Sequence, residues 1–394
     1  MLRVATICVA IVLTFASHAV AQGTTPIVID GKFDTATEHV LIPVQIGGRQ
    51  FWCNPDSGYS ALISLDRAKA TAAGLPIGPG VPTPDGNPPG PADSRATVDV
   101  VVGGVTFPNV AVIVRRFPPE APDMDCIMGV ALLRRFVVEF DHMRPRLTLH
   151  ARDAYQAPSG AARVPLIFGP NPRVAFVDIQ LTLADGVPRT YRVIPDTGTS
   201  YYGALLVNNA AAEVRARTRT VQAVVFPDPN EPDRVVQLDA ARPASITVGP
   251  FTVNEPMIAL LGGSLGANGS LVNGTVGSGV LRRFTVVFDW DGAVMYLVPN
   301  ERFRQPHLFD ALGVGFSRGR DGRDVVFTVL SGSPGEVAGI RLGDVLTQVD
   351  GQPVSRLTPV QRSVLLRGDG ASRTLLLERD GMPVTIRVVL RPRI

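Results

Sequence analysis

The order of apolar and polar positions along the chain predicts a protein built mainly of β-strands. Short alternating or β-branched runs recur, for example at residues 40–46 and 98–102, and Gly-, Pro- and Asp-rich turns separate them. Two short helices are predicted between strands. One spans residues 65–73, with Ser64 as N-cap, and the other spans residues 210–217, capped by Asn208 or Asn209.

The pattern of the first part of the chain is repeated in the second. Residues 40–46 and 50–54 form a predicted hairpin leading into Asp56-Ser57-Gly58, and residues 174–183 and 189–194 form another leading into Asp196-Thr197-Gly198. The matches continue in order: 98–102 with 244–248, 105–114 with 251–261, 127–129 with 275–277, 133–136 with 281–284, and 137–141 with 286–289. Repeats of this kind indicate two homologous β-rich lobes, at 24–150 and 163–300. The Pro-rich stretch around Pro158 is the predicted connection.

The pattern changes after Pro299, where a separate α+β domain is predicted at residues 306–394. A β run at 324–330 is followed by the turn pairs at 343–344 and 350–351. A helix is predicted with Thr358 as N-cap and a stop at Gly368. Its apolar stripe would consist of Val360, Val364 and Leu365.

The first 21 residues have the features of a secretory signal peptide. Arg3 precedes an apolar stretch at 4–16, and Ala19-Val20-Ala21 is a small-x-small cleavage site. We therefore expect cleavage after Ala21, a periplasmic or secreted protein, and no membrane contact after cleavage. An uncleaved N-terminal anchor is the alternative, although the run is short for a transmembrane helix.

Composition excludes several classes of function. The chain of 394 residues is 45% hydrophobic and has a formal net charge of +3. It has no run of basic residues of the kind that binds a nucleic-acid backbone, so we expect no nucleic-acid partner. Beyond the predicted signal peptide, only Cys53 and Cys126 remain as cysteines, and no Cys/His cluster has the spacing of a zinc site. The histidines outside the signal peptide are scattered: His39, His142, His150 and His307. We expect neither Ser-His-Asp nor Cys-His chemistry, no metal and no cofactor.

The duplicated Asp-containing turns are the strongest indication of chemistry. Two matching lobes related by pseudo-twofold symmetry would bring Asp56 and Asp196 together at their interface. Two adjacent carboxyl groups share one proton, so one can take a proton from water while the other hydrogen-bonds a substrate carbonyl. The hydroxyl of Ser57 or Thr197 can bridge to the backbone of the opposite lobe and fix the spacing.

These motifs resemble those of the pepsin/retropepsin aspartic peptidases, and of the bacterial retropepsin-like members in particular. The residues that carry the resemblance are Asp56-Ser57-Gly58, Asp196-Thr197-Gly198-Thr199-Ser200, and the apolar-apolar-Gly segments 127–129 and 275–277. The resemblance covers about residues 27–300. It implies a bilobal pepsin-like β fold with a cleft between the lobes, Asp56 and Asp196 as catalytic residues, and Ser57, Gly58, Thr197, Gly198 and Thr199 in the supporting turns. It also implies hydrolysis of an extended polypeptide without a covalent intermediate.

The resemblance makes the strands that carry Cys53 and Cys126 neighbours, so the two sulfurs can pair in an oxidising compartment. Free thiols are the alternative. The matching positions of the second lobe hold Val193 and Gly274, so the fold itself does not require a cysteine pair there.

Three residues depart from the family pattern. Pro55 and Pro195 precede the aspartates where a residue with a backbone N–H is usual, and Tyr59 replaces a small residue. Tyr59 favours an alternative function, a catalytically inactive peptide-binding or scaffold protein; an envelope scaffolding protein is a more remote one. The segment 78–91 is the candidate flap, or else a plain surface loop.

The C-terminal segment resembles bacterial PDZ domains through residues 312–316, Gly343-Asp344 and Asp350-Gly351. The resemblance implies that the backbone N–H groups of Val314, Gly315 and Phe316 bind a peptide C-terminus, which adds as a β-strand. Internal docking of this domain is the alternative. The sequence thus predicts a monomeric, exported aspartic endopeptidase whose PDZ domain tethers or gates polypeptide substrates.

Overall fold

The fold is that of a computed structural model, which describes residues 25–34, 39–78, 94–117, 123–199, 202–227, 235–262, 272–307, 310–318, 322–357, 359–367 and 370–394. The predicted signal peptide, Ser200, Thr358 and most of the candidate flap lie outside these residues. Strands dominate all three parts of the described chain. No helix in these ranges has the length and apolar character needed to cross a membrane.

The first lobe contains ten strands and two helices in its described residues. In order they are β1 (Ile27–Asp30), β2 (Lys32–Phe33), β3 (Val40–Ile46), β4 (Arg49–Asp56), β5 (Ile63–Asp66), α1 (Arg67–Ala72), β6 (Ser94–Val102), β7 (Val105–Arg115), β8 (Cys126–Gly129), α2 (Val130–Leu133), β9 (Val137–Asp141) and β10 (Arg146–His150). Seven strands form a sheet in the order β2-β3-β4-β8-β5-β7-β6, and the additional pairing of β3 with β6 closes it into a barrel-like shape. Inward side chains of these strands form the core.

The second lobe repeats this arrangement. Its elements are β11 (Ala162–Pro165), β12 (Ile167–Phe168), β13 (Ala175–Thr182), β14 (Pro188–Pro195), β15 (Ala204–Val207), α3 (Asn208–Arg217), β16 (Thr220–Pro227), β17 (Val235–Ala241), β18 (Ser245–Val248), β19 (Phe251–Asn254), β20 (Ile258–Leu261), β21 (Gly274–Val276), α4 (Ser278–Leu281), β22 (Phe284–Asp289) and β23 (Val294–Pro299). The parallel pair β14–β21 matches β4–β8, and the antiparallel pair β15–β21 matches β5–β8. The repeat seen in the sequence is therefore a repeat of strand pairing.

A shared sheet joins the two lobes. Its six strands follow the order β1-β10-β9-β22-β23-β11, and the central antiparallel pair, β9 with β22, brings one strand from each lobe together. Phe140 and Phe288 lie on this pair, both fully buried, with ring centroids 5.8 Å apart in an edge-to-face arrangement. Because the pair is central to the sheet, it holds the two lobes in a fixed register.

The third part of the chain forms a smaller domain with its own apolar core. It contains β24 (Val314–Arg318), β25 (Asp324–Val329), α5 (Pro334–Val337), β26 (Val345–Val349), β27 (Gln352–Pro353), α6 (Pro359–Leu366), β28 (Ser372–Arg379) and β29 (Met382–Val389). The sheet order is β24-β25-β26-β28-β29, so β24 is an edge strand.

The end of the described chain packs this domain against the second lobe. Arg393 donates to the carbonyl of Gln222 at 2.6 Å and pairs with Asp310 at 3.8 Å, where burial lowers the pKa of the guanidinium and raises that of the carboxyl. Ile394 packs against a buried second-lobe cluster that includes Met257, with Tyr202 beside it. Since Tyr202 lies three residues after Thr199, this contact links the C-terminal domain to the turn that follows β14.

The helices depart from the predicted ones in three places. Helix α3 begins at Asn208 instead of residue 210, and its N-cap is Val207, not Asn208 or Asn209. Helix α1 begins at Arg67, and its N-cap is Asp66, whose side chain accepts from the amide of Lys69 at 3.1 Å. Ser64 is buried within β5, where pairing on both sides with β7 and β8 keeps the backbone extended. In α6, Val364 is exposed and Leu366 is buried, so the apolar stripe is rotated from the predicted one.

Candidate active site

The C-terminal ends of two equivalent strands place Asp56 and Asp196 where the lobes meet. Asp56 is the last residue of β4, and Asp196 directly follows β14. Each strand lies parallel to a strand that leads into a short helix, with Gly129 and Gly277 as the N-caps of these helices and Gly129 opposite Asp56. Both aspartate side chains are only partly exposed. The two turns predicted to be equivalent from the sequence are brought together.

Reciprocal hydrogen bonds lock the two turns across the interface. The hydroxyl of Ser57 donates to the carbonyl of Pro195 at 2.7 Å, and that of Thr197 donates to the carbonyl of Pro55 at 2.9 Å. Each hydroxyl also accepts from the backbone N–H of the other residue at 3.0 Å. Ser57 and Thr197 are both buried, so the four bonds fix the separation of the neighbouring carboxyl groups.

The two prolines are compatible with this lock. The cross-lobe bonds use the carbonyls of Pro55 and Pro195, which proline retains, and do not use the N–H that it lacks. The departure from the family pattern therefore leaves these bonds intact.

The glycines of the turns allow the carboxyl groups to approach. A Cβ on Gly58 would lie 2.5–2.8 Å from the carboxyl atoms of Asp196, and a Cβ on Gly198 would lie 2.2–3.0 Å from those of Asp56. Any side chain at either position would push the opposite carboxyl group away. With glycine at both positions, the carboxyl groups of Asp56 and Asp196 come close enough to share a hydrogen bond.

The surroundings raise the pKa of both aspartates. Burial raises the pKa of Asp56 well above its usual range, and the negative charge of Asp196 raises it further. Burial also raises the pKa of Asp196, but hydrogen bonds from Thr199, from the Gly198 amide and from Asp56 oppose the rise. The hydroxyl of Thr199 therefore favours the charged form of Asp196.

The second lobe supplies its aspartate with a side-chain hydroxyl donor. The hydroxyl of Thr199 donates to Oδ2 of Asp196 at 2.5 Å, and the hydroxyl of Thr275 lies 3.4 Å beyond it. In the first lobe the corresponding residues are Tyr59 and Ile127. The sequence analysis assigns Thr275 only to an apolar segment and so misses this hydroxyl pair. A position-by-position comparison of the two repeats would reveal it.

Tyr59 leans towards its own lobe. Its ring atom Cδ1 lies 2.8 Å from the point where a Cβ on Gly129 would sit, and the guanidinium of Arg115 lies 6.0 Å from the ring centroid. Thr199 has the same relation to Gly277, with Cγ2 at 3.0 Å. The side chain of Tyr59 therefore points in the same direction within its lobe as that of Thr199, its smaller counterpart. The backbone N–H of Tyr59 donates to Oδ1 of Asp56 at 3.1 Å.

Cys53 and Cys126 form a disulfide between neighbouring parallel strands. They are direct partners in the β4–β8 register, and both are fully buried. The matching pair in the second lobe, Val193 and Gly274, occupies the same register without a covalent link. The bond fastens the strand that ends at Asp56 to its neighbour.

The residues predicted to bind a peptide C-terminus lie on the edge strand of the C-terminal domain. Val314, Gly315 and Phe316 begin β24, whose outer edge pairs with no strand among the described residues. Helix α6 lies beside it, because the guanidinium of Arg362 is 5.4 Å from the ring centroid of Phe316 and forms an ion pair with buried Asp324. An edge strand beside a helix provides the groove that strand addition requires.

Comparison with known proteins identifies the C-terminal part. Residues 325–379 match the PDZ domain family. The C-terminal domain is a PDZ domain. The predicted fold class is confirmed: the chain is mainly β, with duplicated lobes and a C-terminal α+β PDZ domain.

Two solved structures are similar to parts of the chain. An aspartic proteinase from Irpex lacteus is 15% identical, with a TM-score of 0.43, over 72% of this chain and 99% of its own. A photosystem II D1 C-terminal processing protease is 26% identical, with a TM-score of 0.20, over 21% of this chain and 23% of its own. No curated protein matches the sequence.

Proposed function

We propose that the protein is an aspartic endopeptidase that hydrolyses polypeptides with water activated between Asp56 and Asp196. The observation that carries the proposal is the reciprocal lock of Ser57 and Thr197, together with the glycines that bring each turn against the opposite carboxyl group. Adjacent buried carboxyl groups cost stability, because each disfavours the charge of the other. A catalytic role accounts for their retention in two symmetric turns.

We assign the roles of the two aspartates from the hydroxyl of Thr199, which stabilises the charged form of Asp196 and is replaced by Tyr59 in the first lobe. Ionised Asp196 accepts a proton from the attacking water, while Asp56 donates its proton to the carbonyl oxygen of the scissile bond. The water oxygen bonds to the carbonyl carbon and gives a neutral tetrahedral diol. The C–N bond then breaks as Asp196 returns its proton to the nitrogen and Asp56 regains one from the diol. Neither a covalent intermediate nor a cofactor takes part in this sequence.

The proposal extends to export and to substrate delivery. A disulfide between Cys53 and Cys126 persists in oxidising compartments, which supports a periplasmic or secreted protein, exported with cleavage after Ala21. The edge strand β24 supports a role for the PDZ domain in holding polypeptide C-termini. Docking of the PDZ domain on the second lobe through Arg393 would keep a tethered substrate near the catalytic turns.

Hydrolysis of an unfolded protein tests the proposal. Purified full-length protein should cleave unfolded casein at acid to neutral pH, and pepstatin, an inhibitor of aspartic peptidases, should block the cleavage. A folded protein that binds casein and cleaves none across this range would favour the inactive scaffold, the alternative that Tyr59 first suggested.

A further inference from the structure

The segment that links the second lobe to the PDZ domain, residues 300–307, is fastened to the lobe. The guanidinium of buried Arg283 donates at 2.5–3.2 Å to three backbone carbonyls of this segment, those of Arg302, Phe303 and Gln305. The ring of Phe303 packs against buried Phe284, with centroids 5.4 Å apart. Nδ1 of His307 accepts from a backbone N–H of the same lobe at 3.2 Å. The segment is therefore bound to the lobe and does not act as a free linker.

The segment that follows β29 fastens the other end of the PDZ domain to the same lobe. Leu390 is fully buried in the PDZ core, and three residues later Arg393 donates to the carbonyl of Gln222 in β16. The carbonyl of Arg393 accepts from Arg219 at 3.5 Å, and Ile394 packs against the apolar cluster of the lobe. Hinge motion needs residues that are free to change φ and ψ. Because both attachments are bonded, the domain has a fixed orientation to the lobe.

This attachment lies beside the loop predicted to hold a peptide C-terminus, residues 314–316. The carboxyl group of Asp310 accepts from the N–H groups of Leu312 and Gly313 at 3.0 and 2.8 Å, directly before that loop. The same carboxyl group lies 3.8 Å from the guanidinium of Arg393. Cδ of Arg393 also lies 3.5 Å from the point where a Cβ on Gly313 would sit. The side chain that docks on the lobe is therefore in contact with the start of the loop.

On the lobe, the attachment adjoins the chain that leaves the turn of Asp196. Tyr202 packs against the same apolar cluster as Ile394. The carbonyl of Tyr202 accepts at 3.0 Å from the N–H of Gly279, in α4, and the carbonyl of Thr199 accepts at 3.0 Å from the preceding residue of that helix. The PDZ loop and the turn of Asp196 are thus connected through one set of packed contacts.

We propose that the PDZ domain is a fixed arm of the second lobe, which selects the bond to be cleaved by its distance from the free C-terminus of the polypeptide. This inference rests on the proposed endopeptidase function. A C-terminus bound along β24 would be held at a constant separation from Asp56 and Asp196. Bonds closer to the terminus than this separation cannot reach the aspartates. Cleavage is strongest where the chain just spans the separation and falls with roughly the −3/2 power of chain length beyond it.

An unfolded polypeptide made of identical repeats tests the fixed arm. Each repeat is one segment of casein that the wild type cleaves, so the repeats differ only in their distance from the C-terminus. Mass spectrometry of the early products counts the cleavage in each repeat. Repeats next to a free C-terminus should escape cleavage, and the first repeat beyond them should be favoured. Each doubling of the distance should then lower cleavage about threefold. Amidation of the C-terminus should abolish this gradient, and repeats added at the N-terminus should leave it unchanged.

Two variants test the attachment itself. Arg393→Ala should loosen the arm, so that cleavage extends into the repeats nearest the C-terminus. Arg391→Ala removes the same charge from an exposed position of the same segment and should keep the wild-type pattern. Equal cleavage of all repeats in the free-ended substrate, or the same pattern in the two variants, would overturn the fixed arm and leave the peptidase activity standing. Absence of casein cleavage by the wild type would overturn the proposed function and the fixed arm with it.

Discussion

Removal of the Thr199 hydroxyl tests how the protein divides the roles of its two aspartates. In Thr199→Val the methyl group replaces a hydroxyl that donates to Oδ2 of Asp196 at 2.5 Å. A hydrogen bond to a charged group contributes about 1.5–3 kcal/mol, and one pKa unit corresponds to about 1.4 kcal/mol. The pKa of ionised Asp196 should therefore rise by about 1–2 units.

The sign of the effect follows from the protonation states. Thr199 stabilises the charged form of Asp196, so its loss makes deprotonation harder and moves the acid limb of the pH–rate profile upwards. The assay is kcat/KM against pH, from 2 to 7, with an internally quenched peptide. Since the two carboxyl groups titrate as a pair, the midpoint of the limb belongs to both. We expect it to rise by about 1–2 pH units.

Two further variants serve as controls for this experiment. Thr199→Ser keeps the hydroxyl and should restore the wild-type profile. Thr252→Val removes an exposed hydroxyl of the same lobe, paired with Thr247 at 2.9 Å, and should leave the profile unchanged. An acid limb that stays in place in Thr199→Val would refute the assignment of Asp196 as the ionised member.

Three other predictions concern the first lobe, the disulfide and the PDZ domain. Tyr59→Thr should supply Asp56 with a hydroxyl donor and lower the alkaline limb of the pH–rate profile by about one unit; an unchanged limb would contradict the matched geometry of the lobes. Cys53→Val should lower the free energy of unfolding by about 4 kcal/mol in urea denaturation, because Cys53 and Cys126 are separated by 73 residues, and equal stability would contradict this. Peptides with a free C-terminus should bind about tenfold or more tightly than amidated ones in fluorescence polarisation, and equal affinity would exclude terminal capture at β24.

Because the lobe is duplicated in the sequence, the candidate site could be predicted from the sequence. Asp56 and Asp196 are 140 residues apart, yet their matching hairpins and following glycines indicated that both lie at one interface. The same comparison suggested that Ser57 or Thr197 reaches the opposite lobe. It worked because strand pairing around each turn depends on local patterns that both repeats share.

Features that depend on tertiary contacts were not predictable in this way. Ser64 has the character of a helix cap, but pairing of β5 on both sides extends the strand through Asp66. His39 and His142 are scattered in the sequence and meet only where the lobes join. The docking of Arg393 on the second lobe likewise has no local pattern, because it pairs residues from different domains.

The most direct test of the central claim is the rate of casein hydrolysis by the wild type, Asp56→Asn and Asp196→Asn, measured across acid to neutral pH. Circular dichroism and thermal unfolding would verify that each variant is folded. The account predicts a bell-shaped profile for the wild type and no hydrolysis by either variant, because each substitution removes the state in which two carboxyl groups share one proton. Hydrolysis by a folded Asp56→Asn or Asp196→Asn protein at the wild-type rate would contradict it.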